Sequence, residues 1–244
     1  MKNIIKKLGF WCIRNKFVPS EFRMLRNLTE LAALRELLDQ LRINVVLDVG
    51  ANKGWYAEQL RKIGYSGYIF SFEPVLEDFR IIEKKSSTDE KWIAVNKAVG
   101  DKDEIKQFNV IESGDEKQTV LSSFLNSSNF EIAKVVDVEV IRLDGFKDQI
   151  LTELEELRIF LKTDTQGYDL NVWRGAEAIY PMIKALQSEI SVVPIYENAP
   201  HYTESLETFE RDGMELKSLN VVHLTKTGAV LEYDCIMYRP DSLN

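Results

Sequence analysis

Cysteine is scarce. The chain has two, Cys12 and Cys235, near opposite ends and without a C-x-x-C spacing, so they form neither a zinc knuckle nor a redox pair. A disulfide scaffold is excluded, and this usage fits a reducing cytoplasm. Long apolar runs are missing as well: a membrane span needs about 18 or more consecutive apolar residues. Leu8 to Ile13 and Asn44 to Val49 fall far short, so an integral membrane protein is not expected. Positive charge is in deficit, with 31 Lys and Arg against 39 Asp and Glu and a net charge of -8. That balance opposes the phosphate attraction on which nucleic-acid binders rely, so no nucleic-acid partner is expected. Disorder is excluded by a hydrophobic content of 45%, and 244 residues suffice to bury one sizeable core.

The charge is unevenly spread. Residues 1 to 26 hold Lys2, Lys6, Lys7, Arg14, Lys16, Arg23 and Arg26 against Glu21, a net of +6. With Ile4, Ile5, Leu8, Trp11 and Cys12 at helical spacing, this segment has the make-up to lie on an anionic membrane, as a peripheral contact, or on a partner surface. The plainer expectation is a helix packed across the main domain with its basic face in water. No small-residue cleavage site precedes Pro19, and Arg14 and Lys16 follow the apolar run at once, so no secretion signal is read. The expected location is cytoplasmic.

After Thr29, Leu31, Leu34, Leu37, Leu38 and Leu41 recur at helical spacing, which predicts a helix over 30 to 42. From Asn44 the pattern becomes short apolar runs alternating with helical segments. The runs are Val45 to Val49, Tyr68 to Phe72, Trp92 to Asn96, Arg158 to Lys162 and Lys184 to Ser191; the helices fall near 53 to 63, 75 to 85, 146 to 156 and 168 to 179. Such alternation predicts βαβ units and a parallel sheet covered on both faces. Residues 105 to 142 interrupt it with two strand-like runs, Ile105 to Ile111 and Val135 to Ile141. A Ser- and Asn-rich stretch joins them, so a β insertion with a loop able to cover a site is expected. Leu216 to Leu224 and Ala229 to Tyr238, around Lys226-Thr227-Gly228, read as a closing hairpin.

The strongest chemical signal is Val45 to Gly54, an apolar strand running into a glycine-containing turn and then a helix. Its spacing is D-x-G-x-N-x-G, from Asp48 through Gly50 and Asn52 to Gly54. A dinucleotide fingerprint would read G-x-G-x-x-G, which this sequence lacks, so a nicotinamide-dependent oxidoreductase is disfavoured. Gly50 and Gly54 allow tight turning and close approach of a ligand, so a side chain at Gly50 is expected to fill ligand space and leave the fold intact. Glu73 ends the next run, twenty-five positions after Asp48. A carboxylate at about this distance accepts hydrogen bonds from ribose hydroxyls in nucleotide-binding α/β folds.

These features resemble the S-adenosylmethionine-dependent methyltransferases of the Rossmann-like class, and more of the chain is similar to the FkbM family within it. The matching motifs are LDVGANKGWYA (Leu47 to Ala57), FEP (Phe72 to Pro74), NKAVGD (Asn96 to Asp101), IRLDGF (Ile141 to Phe146) and LKTDTQGYDLNVWRGA (Leu161 to Ala176). The last usually carries glutamates where this chain has Gln166 and Asp169. The resemblance implies an α/β fold with a seven-stranded, mostly parallel sheet and an antiparallel last strand, into which the β insertion read above falls between the third and fourth strands. It covers about residues 44 to 240, so the chain divides into the basic and amphipathic helical segment read above over 1 to 42 and a methyltransferase domain over 43 to 244. It also implies S-adenosylmethionine as cofactor and methyl transfer to an oxygen of a small molecule, sugar, glycan or secondary metabolite.

Carried over position by position, Asp48, Gly50 and Gly54 line the methionine end of the cofactor and Glu73 its ribose. Ala98 and Val99, with Asp101 nearby, approach the adenine, and Asn52 and Pro74 in the same motifs complete the set. Asp164 faces the methyl group and the acceptor. An alcohol needs a base during attack, and Asp164, Glu189 and His201 are the candidates. Tyr196 and Tyr202, in the loop flanking Pro200 and His201, are the candidate acceptor contacts, while Trp173 beside Leu170 reads as core. Asp144, Asp164, Asp169 and Glu189 have oxygens suited to Mg²⁺, but acids scattered over strand ends are ordinarily solvated or structural, so no metal site is assigned. A non-catalytic nucleotide-binding or scaffold protein on the same fold stays open, because Gln166 and Asp169 depart from the family pattern.

Overall fold

The computed structural model describes residues 20–112, 119–127, 129–150, 154 and 156–243. The basic segment before Ser20, and with it the expectation of a surface-lying helix there, lies outside the described residues. Helix α1 (Ser20–Gln40) starts ten residues earlier than its leucine periodicity indicates. Leu34, Leu37, Leu38 and Leu41, spaced to share one face, are buried against Val46, Phe160, Ala185 and Ile236 of the sheet. Each such side chain contributes about 1.5 to 3 kcal/mol.

The chain then alternates β1 (Val45–Val49), α2 (Trp55–Lys62), β2 (Tyr68–Phe72), α3 (Leu76–Ser86) and β3 (Trp92–Val95). After the short β4 (Ala98–Val99), strands β5 (Glu104–Val110) and β6 (Lys134–Ile141) form the expected insertion. With β4 they make a separate three-stranded sheet, ordered β4-β6-β5, on its own apolar cluster of Val75, Phe108, Val110, Val138 and Val140. Helix α4 (Leu143–Ile150), β7 (Ile159–Thr163), α5 (Asp169–Arg174), β8 (Ile183–Ser191), α6 (Tyr202–Arg211), β9 (Glu215–Leu224) and β10 (Val230–Tyr238) complete the order.

The main sheet has seven strands in the order β3-β2-β1-β7-β8-β10-β9. Pairing is parallel from β3 to β8, whereas β10 is antiparallel to both its neighbours. The closing hairpin therefore returns its last strand between β8 and β9, so the antiparallel strand is last in the chain but interior to the sheet. Strands buried on both faces read as continuous apolar runs, and β1 is buried throughout. Val46 faces α1 and α2, and Val45, Leu47 and Val49 face the cluster around Leu170, Val172, Trp173 and Phe209. Trp173 is a core residue, stacked on Tyr180 with its indole N–H donated to Asp212 Oδ2 at 2.8 Å. No helix among the described residues is long and apolar enough to cross a membrane.

Candidate functional site

Parallel strands leave their carboxyl ends on one edge, where ligands of open α/β sheets bind. There a cleft is lined by Gly50 and Asn52 after β1, Glu73, Pro74 and Val75 after β2, Ala98 and Val99 of β4, and Asp164 to Gln166 after β7. The insertion supplies the remaining wall, with Phe108, Thr119, Val120, Ser122 and Phe124. Its loop is tied down: Asn52 Nδ2 donates to Thr119 Oγ1 at 2.9 Å, and the Thr119 hydroxyl donates to Asp78 of α3. A polar stretch of weak local preference thus becomes the roof of the cleft.

Gly50 holds φ at +75°, and a Cβ there would lie 2.0 Å from the Asp164 carbonyl oxygen. At Gly54, with φ +77°, a Cβ would meet the Trp92 ring at 2.9 Å. Both glycines are therefore demanded by the protein's own backbone and core. The expectation that a side chain at Gly50 fills only ligand space is corrected, since it would collide with the end of β7.

Glu73 is buried, and its two carboxylate oxygens accept the backbone N–H groups of Val75 and Asn52, each at 2.8 Å. Burial pushes its pKa up to about 8; the two N–H bonds oppose this, and the charges of Asp78 and Asp48 add to it. Asp48 is fully buried and lies outside the cleft lining. It pairs in register with Ser71 and Lys162, whose Oγ and Nζ lie 3.1 and 3.4 Å from it. Its anion thus serves to hold Lys162, a reason internal to the sheet. Asp101 also lies outside the lining; its carbonyl accepts Arg142 Nη1 at 2.6 Å.

Asp164 follows β7 directly, with 41% of its side chain exposed, and Lys162 Nζ stands 3.5 Å from Oδ2. Gln166, at φ +54°, is the hub of this edge. Its Nε2 donates to Asp164 Oδ1 at 3.0 Å and to Glu189 Oε2 at 2.9 Å. Burial, then the charge of Asp164, pushes Glu189 well above the usual carboxylate range. Lys162 is lowered by burial but raised more by Asp164 and Asp48, so its net direction is up. Asp169 accepts the Thr165 N–H at 3.2 Å and shapes the turn; burial and the Asp164 charge push it to about 6.

Of the expected base candidates, the structure brings Asp164 and Glu189 together and leaves His201 apart. His201 is exposed at the start of α6, with Nδ1 2.8 Å from Thr203 Oγ1, and it does not line the cleft. Tyr196 is buried rather than presenting a flat face. Its hydroxyl lies 2.7 Å from the Leu121 carbonyl and 3.0 Å from Gln166 Oε1, two acceptors for one proton. Tyr202 is half-buried between His201 and Tyr233. Residues 195 to 197 instead brace the roof: Ser127 Oγ donates to the Ile195 carbonyl at 2.6 Å, and Glu197 N–H to that of Asn126 at 2.8 Å.

Sequence reasoning passed over Lys162 and Thr119 as site residues. Lys162 had a usable signal: a lysine inside an otherwise apolar parallel strand is buried, and a buried lysine needs an acid partner. Thr119 had none, because the contact spans 67 residues.

The family model described as the methyltransferase FkbM domain matches residues 48–216. Among solved structures, the chain is similar to a precorrin-6y C5,15-methyltransferase from Geobacter metallireducens at 13% identity, covering 85% of this chain and 88% of that one, with a TM-score of 0.43. A magnesium protoporphyrin IX methyltransferase from Synechocystis, with S-adenosylmethionine bound, is similar at 7% identity, covering 88% and 78%, with a TM-score of 0.47. No curated protein matches the chain in sequence.

Proposed function

Since the chain belongs to the FkbM methyltransferase family and uses S-adenosylmethionine, we propose that it methylates a hydroxyl oxygen of a sugar, glycan or secondary metabolite. The cleft suits that cofactor. Glu73 has acceptor lone pairs for a ribose diol, and Val75, Val99, Phe108 and Phe124 provide an apolar wall for a flat base. Gly50 and Asn52 would hold the methionine end, with Ala98 and Pro74 beside the nucleoside. When bound, the cofactor supplies a methyl carbon on a cationic sulfur. Asp164 favours that cation and receives the acceptor's hydroxyl proton during attack.

The observation that carries this reading is the Gln166 amide held between Asp164 and Glu189 beside the cleft. Glu189 is the more buried partner, and Asp164, with 41% of its side chain exposed and in the cleft lining, is the one placed to act as the base. Lys162 fixes its orientation from behind. In this division Asp48 is structural, and His201 has no part in the chemistry.

The test is incubation with S-adenosylmethionine and a panel of hydroxyl and amine acceptors, with methylated product read by mass spectrometry. Asp164→Asn should keep affinity for S-adenosylhomocysteine within about threefold and slow transfer by about a hundredfold or more. His201→Ala should transfer at the wild-type rate. Methylation confined to amines would overturn the oxygen assignment, and undiminished transfer by Asp164→Asn would remove Asp164 as base.

A further inference from the structure

Beyond the cleft, ligating side chains from three adjacent strands meet on one face of the main sheet. Glu232 of β10 is in register with Ser191 of β8 on one side and His223 of β9 on the other. Antiparallel partners present their side chains to the same face, and Glu189, two residues before Ser191, shares it. One ligand atom each from Glu189, His223 and Glu232 lies within 4.8 Å of the other two. His223 Nδ1 is 2.8 Å from Glu232 Oε2, and Glu232 is buried with Ser191 Oγ 3.3 Å from its other oxygen. An imidazole and two carboxylates on three paired strands are held by the sheet rather than by flexible loops, so small side-chain turns suffice to reach bond lengths of about 2.0 to 2.2 Å.

The charge balance favours a cation as well. Asp164, Glu232 and Asp234 lie close enough to Glu189 to act on it electrostatically, so this edge is rich in carboxylates. Lys162, whose charge reaches Asp234, makes its ion pairs with Asp48 and Asp164.

We propose that Glu189, His223 and Glu232 bind one divalent transition-metal ion, Mn²⁺ or Zn²⁺ in class, leaving coordination positions open for an oxygen of the acceptor. The mixed nitrogen and oxygen donor set selects such ions over Mg²⁺ and Ca²⁺, which prefer oxygen alone. Glu189 also receives the Gln166 amide, so one side chain links the cation to Asp164. The acceptor-holding role rests on the proposed function; the binding of the metal does not.

The experiment strips the purified full chain with chelator and titrates it with Mn²⁺, following free ion by electron paramagnetic resonance. One Mn²⁺ should bind per chain, and His223→Ala should weaken it at least about tenfold. His201→Ala, at the only other histidine, should bind like the wild type. Affinity for S-adenosylhomocysteine, measured on the same samples, should be kept in both variants and so shows that each is folded. No stoichiometric uptake up to about 1 mM, an unchanged affinity in His223→Ala, or an equal loss in both variants would overturn the site. Uptake that depends on His223 in a chain that methylates no hydroxyl would uphold the metal site and overturn only the oxygen reading.

Discussion

Cofactor affinity should rise with pH, and the structure supplies the size of the effect. Glu73 is buried with a pKa near 8, so at pH 7 only about a tenth of the chains carry it ionised. Ribose hydroxyls donate to a carboxylate, and the N–H groups of Asn52 and Val75 already donate to both of its oxygens. The proton on Glu73 is therefore in the way of four converging donors and must leave on binding. Apparent affinity then scales with the ionised fraction, giving a gain of about fiftyfold between pH 6 and pH 8 and a plateau above. Nearly one proton should be released per complex at pH 7. The ligand-free chain should show the opposite trend. A carboxyl whose folded pKa is raised above its unfolded value of about 4.5 stabilises the fold fully below that pH and loses the contribution as pH climbs through 8, by at most about 5 kcal/mol. Calorimetry with S-adenosylhomocysteine from pH 6 to 9, in two buffers of different ionisation enthalpy, reads affinity and proton release together. Glu73→Gln should flatten both curves. A dissociation constant that moves less than about twofold over that range, with no proton released, would refute the reasoning.

Four further outcomes follow from contacts described above. Gly50→Ala should cost more than about 3 kcal/mol of folding stability, because its Cβ would strike the Asp164 carbonyl at 2.0 Å; a wild-type thermal melt would contradict this. Lys162→Met strands the fully buried Asp48 and should destabilise by about 3 to 5 kcal/mol, while Lys162→Met with Asp48→Asn should recover most of the loss in denaturant titrations. Gln166→Leu should lower kcat about tenfold or more with S-adenosylhomocysteine affinity little changed. Gln166→Glu, which sets a third carboxylate beside Asp164 and Glu189, should shift the pH-rate profile upward by about one unit; an unmoved profile would show that the three do not face one another during turnover.

Much of the fold was legible in the amino acids. Apolar runs such as Val45–Val49 and Tyr68–Phe72 are strands because parallel strands buried on both faces read as continuous hydrophobic stretches. The turn at Gly50 and the carboxylate at Glu73 could be placed at the ends of those strands because strand order and direction carry them there. The insertion and the closing hairpin were legible for the same local reason.

The tertiary structure decided what those residues touch, because register sets contacts between positions far apart in the chain. Gly50 is glycine on account of the Asp164 carbonyl, more than a hundred residues away, and Gly54 on account of Trp92. Asp48, at the end of the first strand, is brought to Lys162 and Ser71 by strand pairing, a contact that the local sequence does not show. His201 has a favourable intrinsic pKa but stands exposed beside Thr203, and Tyr196 is taken up by the roof. Gln166 reads as a mere departure from a motif until the chain folds and one amide reaches two carboxylates from neighbouring strands. His223 and Glu232 carried no signal at all, since only the hairpin's return beside β8 brings them to Glu189. Local pattern determines which segments become strands and helices; the order and register of those strands determine which acids, amides and imidazoles meet.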